Sequence, residues 1–423
     1  MVTPDPTFND RPTGIYPIVR LLAALALMTI GGSAMYATIV VLKPIAAEFQ
    51  VSRGTAAIPY MLFMVGFGFG GIGMGRVADR FGIMPPILVA SLALPAGFVA
   101  SAHAASFWQF SLAIGVLSGL FGAAATFGPL VADISHWFIR RRGLAIAVVI
   151  SGTYVAGALW PPILQYYIDA MGWRDTFVGF GIFALFTMPA LSLVLIRKPP
   201  ALAELGTASG PAGRFRPLDF SPTTLQSLIC AAGIGCCVAM AMPQVHIVSY
   251  ATDLGHSAAR GAEMLSLMLG FGIVSRLVSG WLSDRIGGLG TLIVGSSLQA
   301  TVLAAFLMTD TLTALYILSI VFGLSQGGIV PSYAVIIRTF FPANQAGWRI
   351  GAALFATTVG MALGGWMAGV LFDLTGSYTA SFLNAILFNF ANMAIAVTML
   401  RRARRPLPAC SAPDAASTGP PNP

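Results

Sequence analysis

The sequence predicts an all-α, polytopic membrane protein with twelve transmembrane helices in two pseudo-symmetric six-helix bundles. Three observations lead to this fold class: 57% of the 423 residues are hydrophobic, only 9% are charged, and the mean hydropathy is +0.82. A soluble domain carries about a quarter charged residues, so this chain has too few charges to cover a surface in water. The composition excludes a soluble enzyme, a disordered protein and a secreted disulfide scaffold.

Apolar runs of roughly 20 residues are long enough to cross a bilayer as helices, and we count twelve of them, six in each half. Their centres lie near Ile30, Val65, Ser91, Ser118, Ser151, Leu185, Ile234, Gly272, Leu298, Val321, Val359 and Asn389. We predict a first bundle over residues 1–196, a cytoplasmic linker over 197–221, a second bundle over 222–405 and a disordered tail over 406–423.

The basic residues predict the orientation, because cytoplasmic segments carry an excess of Lys and Arg. With both termini in the cytoplasm, all but five of the 23 basic residues fall on the inner side. The five exceptions are Lys43, Arg53, Arg174 and Arg260 in outer segments and Arg276 inside the eighth span. The sequence therefore predicts a multi-pass protein of the cytoplasmic (inner) membrane with cytoplasmic N- and C-termini.

A duplicated octapeptide relates the two halves. Gly-Arg-Val-Ala-Asp-Arg-Phe-Gly follows the second span at 75–82, and Gly-Trp-Leu-Ser-Asp-Arg-Ile-Gly follows the eighth at 280–287. The shared residues are Gly75, Asp79, Arg80 and Gly82 in the first copy and Gly280, Asp284, Arg285 and Gly287 in the second. Glycine permits close helix approach, and Asp and Arg can pair across the cytoplasmic helix ends when the substrate site faces outward. Both copies are interpreted as a conformational motif.

This repeated loop resembles the signature of the major facilitator superfamily, over essentially the whole chain. Four further segments together resemble the monocarboxylate porter group and its bacterial relatives, which include oxalate/formate exchangers. They are Leu-Lys-Pro-Ile-Ala-Ala-Glu-Phe at 42–49, His-Trp-Phe-Ile-Arg-Arg-Arg-Gly-Leu-Ala at 136–145, Gly-Trp-Arg at 172–174 and Val-His-Ile-Val-Ser-Tyr at 245–250. The resemblance implies two parallel halves with the substrate between them at mid-bilayer.

Arg276 is the sharpest functional candidate. It precedes Asp284 by eight residues, which places it about 12 Å along the helix from the cytoplasmic end. An arginine within the hydrocarbon layer costs at least about 2.5–3.5 kcal/mol and should face a polar space. No acidic residue is predicted near mid-bilayer, and Gly272 stands where animal members of the porter group often carry an acid. A planar guanidinium without a protein carboxylate is suited to bind the carboxylate of a substrate.

Other polar residues are predicted near the same depth. His246 is a candidate substrate ligand and proton-coupling group, because neutral imidazole binds protons near neutral pH; a hydrogen-bonded packing role is the alternative. Tyrosine hydroxyls can donate to a carboxylate while their rings shape an apolar pocket. The remaining substrate-binding candidates are Tyr154, Tyr36, Gln326, Tyr333 and Thr358.

These residues predict a secondary transporter that moves a small monocarboxylate, lactate- or pyruvate-like, together with a proton by alternating access. The eleventh span carries no lysine, whereas the resemblance implies one in oxalate exchangers, so the charge count favours a monoanion. An organic-anion exchanger and a metabolite or drug exporter of the same fold are the alternatives. No catalytic or metal-binding arrangement, cofactor motif or nucleic-acid-binding stripe is recognised, and the chain is interpreted as a non-enzyme that works as a monomeric transport unit.

Overall fold

The structure is a computed structural model that describes residues 15–138, 142–197 and 220–403. Most of these residues are helical, and eleven helices are long and apolar enough to cross a membrane. In chain order they are Tyr16–Val40 (α1), Arg53–Phe81 (α2), Met84–Ala102 (α3), Phe107–Trp137 (α4), Gly143–Met171 (α5), Trp173–Leu195 (α6), Pro222–Asp253 (α7), Ala258–Phe306 (α8 and α9), Leu312–Phe340 (α10), Gln345–Thr375 (α11) and Thr379–Ala403 (α12). The predicted tail, and the predicted linker over 198–219, lie outside the described residues.

The longest helix accounts for two of the twelve predicted spans. Ala258–Phe306 has 49 residues, which is about 74 Å of helix and more than twice the thickness of the hydrocarbon core. Gly287 interrupts it with φ 75° and ψ 168°, a left-handed conformation that glycine adopts without steric cost. The chain therefore crosses twice, as α8 over 258–286 and α9 over 288–306, and the predicted twelve-span fold is confirmed.

Small residues allow close helix packing in the first bundle. Residues Ala113–Ala123 of α4 form a π-helix, which widens the helix locally. A Cβ on Gly66 would lie 2.3 Å from the Gly115 carbonyl oxygen, and a Cβ on Gly70 would lie 2.2 Å from that of Leu120. The backbones of α2 and α4 are thus in direct contact, as is common where small residues line helix interfaces in membranes.

A buried ion pair ties α1 to α4 near the predicted cytoplasmic face. The Arg20 Nε and Nη2 atoms donate to the two Asp133 carboxylate oxygens at 2.8 and 2.7 Å, and the arginine side chain is fully buried. Arg20 Nη1 also donates to the Arg197 carbonyl oxygen at 3.0 Å. Because every edge of the guanidinium is bonded, this arginine is a structural part of the first bundle.

The bundles meet through α5 with α8 and through α2 with α11. At the predicted outer face, Arg53 of α2 pairs with Asp253 of α7. At the predicted cytoplasmic face, a Cβ on Gly75 or Gly280 would have no atom within 4 Å. The described residues therefore bring the two bundles together at the predicted outer face, whereas these two glycines of the duplicated motif are unpacked at the predicted cytoplasmic face.

Candidate functional site

Arg276 of α8 lies where the two bundles face each other. Its side chain is half-buried, and the Nε and Nη1 atoms are buried without a hydrogen-bond partner among the described residues. Its guanidinium carbon lies 4.4 Å from the ring centroid of Tyr154, which belongs to α5 of the opposite bundle. The Arg276 guanidinium therefore contacts the face of an aromatic ring and keeps two N–H donors that no described residue accepts.

Two glycines set the position of this arginine. A Cβ on Gly272, one turn before Arg276, would lie 2.4 Å from Tyr154 Cε1, so only glycine leaves room for the ring. A Cβ on Gly327 of α10 would lie 2.3 Å from the Gly272 carbonyl oxygen and 2.7 Å from the Arg276 backbone nitrogen. The backbone of α8 is thus held against α10 on one side and against Tyr154 on the other.

The electrostatic environment of Arg276 differs from that of Arg20. Arg20 uses its Nε and Nη2 edge to hold the Asp133 carboxylate. Across the described ranges 15–138, 142–197 and 220–403, Arg276 forms no ion pair. The Nε donor, which in Arg20 binds a carboxylate, is therefore available in Arg276 to a carboxylate that the described part of the protein does not supply.

Tyr36 of α1 completes the group that the structure brings together. Its hydroxyl donates to the Thr153 carbonyl oxygen at 3.0 Å, and its side chain lies within electrostatic range of Tyr154 and Arg276. A Cβ on Gly157 would lie 2.5 Å from Tyr36 Cζ, so a glycine of α5 makes space for this ring. Of the seven predicted substrate-binding residues, Arg276, Tyr154 and Tyr36 are neighbours.

His246 is placed differently from the prediction. The imidazole is fully buried near the outer end of α7, with Nδ1 3.0 Å from the Tyr378 hydroxyl oxygen and Nε2 2.8 Å from the Gly365 carbonyl oxygen. Both ring nitrogens are occupied by the protein, so in this conformation the residue has the hydrogen-bonded packing role that was the alternative. Its contact with substrate stays a prediction that this geometry does not favour.

The other three candidates are also bonded to the protein. Gln326 is fully buried; its Nε2 donates to the Met268 carbonyl oxygen at 3.3 Å and its Oε1 accepts from Gln244. The Tyr333 hydroxyl donates to Asn392 Oδ1 at 3.1 Å, inside the second bundle. The Thr358 hydroxyl donates to the Leu354 carbonyl oxygen of its own helix at 3.0 Å. Their roles as substrate ligands remain predictions without support from these contacts.

Tyr60 of α2 is a residue that the sequence analysis missed. Its side chain is 1% exposed, and its hydroxyl has no hydrogen-bond partner in the described part of the chain. It packs against α11, since a Cβ on Gly365 would lie 2.9 Å from Tyr60 Cδ1. In sequence, a single tyrosine near the outer end of a span is typical of a residue that anchors the helix at the membrane surface. Only the packing in the structure shows that Tyr60 is buried between the bundles instead.

The duplicated motif lies at the ends of α2 and α8. Gly82 and Gly287 both have positive φ, of 83° and 75°, and so require glycine. Four charged residues of the motif are exposed and form no ion pair with other described residues: Asp79, Arg80, Asp284 and Arg285. This agrees with an open cytoplasmic face, since the predicted pairing belongs to the opposite conformation.

Two six-helix bundles, with a cation between them that pairs with no acid in the described part of the chain, are the architecture of a multi-pass membrane transporter. The chain belongs to the Major Facilitator Superfamily, since the model of that family matches residues 22–313 and 227–420. The resemblance predicted from the loop motifs is thereby confirmed.

Curated relatives and a solved structure agree with this family. The chain is 28% identical over 330 residues to monocarboxylate transporter 13 of Bos taurus, which covers 76% of this chain and 75% of the relative. It is 26% identical over 396 residues to monocarboxylate transporter 11 of Mus musculus, covering 90% and 86%. A bacterial homologue of the human lysosomal transporter Spinster, in an inward-facing and unoccupied conformation, superposes with a TM-score of 0.69 at 17% identity, covering 93% of this chain and 99% of that one. The last likeness shows the fold alone.

Proposed function

We propose that this transporter moves a small monocarboxylate of the lactate or pyruvate class, together with a proton, by alternating access. Arg276 receives the carboxylate, and Tyr154 holds the guanidinium from the opposite bundle. One observation carries the proposal: the buried Nε and Nη1 donors of Arg276 have no partner among the described residues, whereas Arg20 uses its Nε and Nη2 donors to hold a carboxylate. A half-buried cation without a counter-ion is costly in a membrane, and an anionic substrate offsets that cost.

The charge of the site supports a substrate with one carboxylate. Arg276 is a single cation, and the stretch of α11 at 351–360 contains neither Lys nor Arg. One guanidinium balances one carboxylate, whereas a dianion would leave a negative charge in a medium of low polarity. The names of the curated relatives, monocarboxylate transporters, support the same substrate class.

Organic-anion exchange is the second candidate function, and the surroundings of Arg276 favour it. No described acid pairs with Arg276, and both ring nitrogens of His246 are bonded elsewhere. A site without its own proton acceptor is neutralised only by the substrate. A carrier of this kind crosses readily when loaded and slowly when empty, which is the behaviour of an exchanger.

We further propose that the protein lies in the cytoplasmic membrane with both termini inside and that one chain is the transport unit. The orientation is supported by the basic residues, all but five of which fall on one side of the twelve spans. The single-chain unit is supported by the candidate site, because its two parts come from α5 and α8 of the same chain.

The test is uptake of radiolabelled lactate and pyruvate into proteoliposomes, with and without an inward acid gradient. Arg276→Lys keeps the charge but loses the planar fork, so we expect uptake at low substrate concentration to fall about ten- to one-hundredfold, the equivalent of about 1.5–3 kcal/mol. Arg260→Lys, in the same helix but exposed and paired with Glu263, is the matched control and should transport normally. Normal uptake by the Arg276 variant would disprove the role of the guanidinium.

Coupling is measured separately on the same proteoliposomes. Stimulation of uptake by the acid gradient supports symport with a proton. Counterflow into vesicles loaded with unlabelled carboxylate, without a pH gradient and without net uptake into empty vesicles, supports exchange instead.

A further inference from the structure

Arg53 joins the two bundles at the predicted outer face. It is the first residue of α2, and its Nη2 donates to Asp253 Oδ1 of α7 at 2.7 Å while its Nη1 bonds Oδ2 of the same carboxylate. Its guanidinium carbon also lies 3.9 Å from the ring centroid of Phe372 in α11. A cation of the first bundle is thus held by an acid and an aromatic ring of the second.

The backbones meet at the same place. The backbone N–H groups of Arg53 and Gly54 donate to the two Asp373 carboxylate oxygens at 2.9 and 2.7 Å. A Cβ on Gly54 would lie 2.7 Å from Val370 Cγ2, and a Cβ on Gly369 would lie 2.7 Å from the Arg53 carbonyl oxygen. The outer ends of α2 and α11 therefore touch without intervening side chains, and any opening of this face must break these contacts.

Opposite charges of the two bundles face each other across this outer contact while it is closed. Lys43 Nζ lies 2.7 Å from Asp253 Oδ1, so two cations of the first bundle, Lys43 and Arg53, face two carboxylates of the second, Asp253 and Asp373. Separation of the bundles transfers all four groups to water. The closed and open states can then be close in free energy, because exposed ion pairs contribute little net stability.

A chain of hydrogen bonds leads from this contact to His246. Arg53 Nη1 donates to the Tyr378 hydroxyl oxygen at 3.0 Å, and that oxygen lies 3.0 Å from His246 Nδ1. His246 Nε2 lies 2.8 Å from the Gly365 carbonyl oxygen. Burial raises the pKa of Tyr378, which lies between α11 and α12, so its hydroxyl keeps its proton.

The donors and acceptors fix the directions of these bonds for a neutral ring. Arg53 can only donate and the Gly365 carbonyl can only accept, so a neutral His246 carries its proton on Nε2 and accepts from the Tyr378 hydroxyl at Nδ1. A protonated ring would instead donate from Nδ1 to the hydroxyl oxygen that already accepts from Arg53, and the phenol proton would have to turn toward Ser249. It would also place a second cation beside Arg53 at a fully buried position, which costs free energy.

We propose that His246 is a positioning residue for the transport cycle, which makes closure of the outer face depend on its protonation. The closed state favours neutral His246, because protonation reverses the bond to Tyr378 and adds a buried cation beside Arg53. The charged groups within electrostatic range of the imidazole are Arg53, Asp253 and Asp373. Carboxylates and guanidinium groups keep their charge between about pH 5 and pH 8, so the imidazole is the group that titrates in this interval.

The sign and size of the effect follow from proton linkage. A group that binds a proton with the ordinary imidazole pKa of about 6.5 in the open state, and binds none in the closed state, shifts the balance toward the open state as the pH falls. Lowering the pH from about 8 to about 5 then raises the ratio of open to closed outer face about thirtyfold. This gives His246 a route to proton coupling that needs no contact with substrate.

The test measures the width of the outer face without any carboxylate. Spin labels are attached to cysteines replacing Ala47 and Met308, which are exposed on the outer ends of the first and second bundle, in protein whose four native cysteines are replaced. Pulsed dipolar spectroscopy in lipid nanodiscs then gives the two populations at about pH 5 and about pH 8. We expect the long-distance population to grow at the lower pH with the ratio stated above.

Two tyrosine variants separate the proposed role from a merely structural one. Tyr378→Phe keeps the ring beside Arg53 but removes the hydroxyl between Arg53 and His246, so the difference between the populations at the two pH values should become smaller. Tyr250→Phe removes a hydroxyl that donates to the Phe306 carbonyl oxygen at 3.4 Å, in a ring 5.7 Å from Tyr378, and should keep the full shift. His246→Gln, which has no titratable group, should lose the shift and serves if Tyr378→Phe does not fold.

A pH-independent outer face in the parent protein would overturn the proposal, as would a full shift in Tyr378→Phe or His246→Gln. The proposal rests on the proposed function only for alternating access. Because the labelled samples contain no substrate, failure of the Arg276 carboxylate site leaves this result unchanged, and an unchanged outer face leaves the uptake result for Arg276→Lys intact.

Discussion

Gly272→Ala tests the packing that holds Arg276 in place. The new methyl carbon would lie 2.4 Å from Tyr154 Cε1 and 2.6 Å from Cδ1, so the ring must move away from the guanidinium that it contacts at 4.4 Å. Loss of a cation–π contact of about 0.5–2 kcal/mol corresponds to a fall in carboxylate affinity of about two- to thirtyfold. The overlap itself should also lower the free energy of unfolding by about 1–3 kcal/mol.

A double-mutant cycle identifies the cause of this loss. Calorimetric titration with a transported monocarboxylate is compared for the parent, Gly272→Ala, Tyr154→Ala and the double variant. We expect Gly272→Ala to have no further effect once the Tyr154 ring is absent, because the methyl group then fills empty space. Gly270→Ala is the matched control, since its Cβ would lie at an ordinary 3.9 Å from Ala158. The reasoning is refuted if Gly272→Ala reduces affinity by the same factor with and without the ring.

Three further substitutions test other parts of the structure. Arg20→Leu leaves the Asp133 carboxylate buried and unpaired, so we expect a loss of about 3–5 kcal/mol in thermal unfolding, and a smaller loss when Asp133 is also replaced by Leu; equal losses would contradict the pairing argument. Gly369→Val places a side chain against the α2 backbone, so we expect dipolar spectroscopy to show a smaller population with the outer face closed. A closed population as large as in the parent would contradict the close contact. Tyr333→Phe removes a hydrogen bond inside the second bundle and should cost about 1 kcal/mol of stability, whereas a large loss of uptake would restore its role at the substrate site.

The membrane fold was predictable because a bilayer imposes strong constraints on sequence. Apolar runs have a fixed minimum length, and the duplicated motif marks equivalent points of the two halves. The boundary between the eighth and ninth spans is marked by Gly287, whose positive φ interrupts a helix of 49 residues. These are local properties of the chain, and the structure reproduces them.

The candidate site was only partly predictable, since contacts between distant helices are not local. Arg276 was identified from its depth and from the absence of an acid nearby, and Tyr154, whose ring lies beside it, was among the predicted substrate-binding residues. His246, like Arg276, is a polar residue within an apolar span. Its hydrogen-bond partner Tyr378 lies 132 positions further along the chain, so the sequence does not show that this side chain is bonded within its own bundle. The sequence does not reveal which polar side chains of a span face its own bundle, as Tyr333 and Gln326 do.

One signal of the outer contact is present in the sequence. Arg53 is among the few basic residues on the predicted outer side, where the orientation rule disfavours them. A cation retained against that preference indicates a local partner. Its partners Asp253 and Asp373 lie in other spans, so only the folded structure identifies them.

The most direct test of the central claim compares a carboxylate with its neutral amide. Binding of monocarboxylates and the corresponding amides is measured by calorimetry for the parent protein and for Arg276→Gln. An arginine that binds the substrate charge predicts at least about tenfold tighter binding of the carboxylate to the parent protein, from charge-assisted hydrogen bonds of about 1.5–3 kcal/mol, and no such preference in the variant. An undiminished preference for the carboxylate in Arg276→Gln would contradict the account.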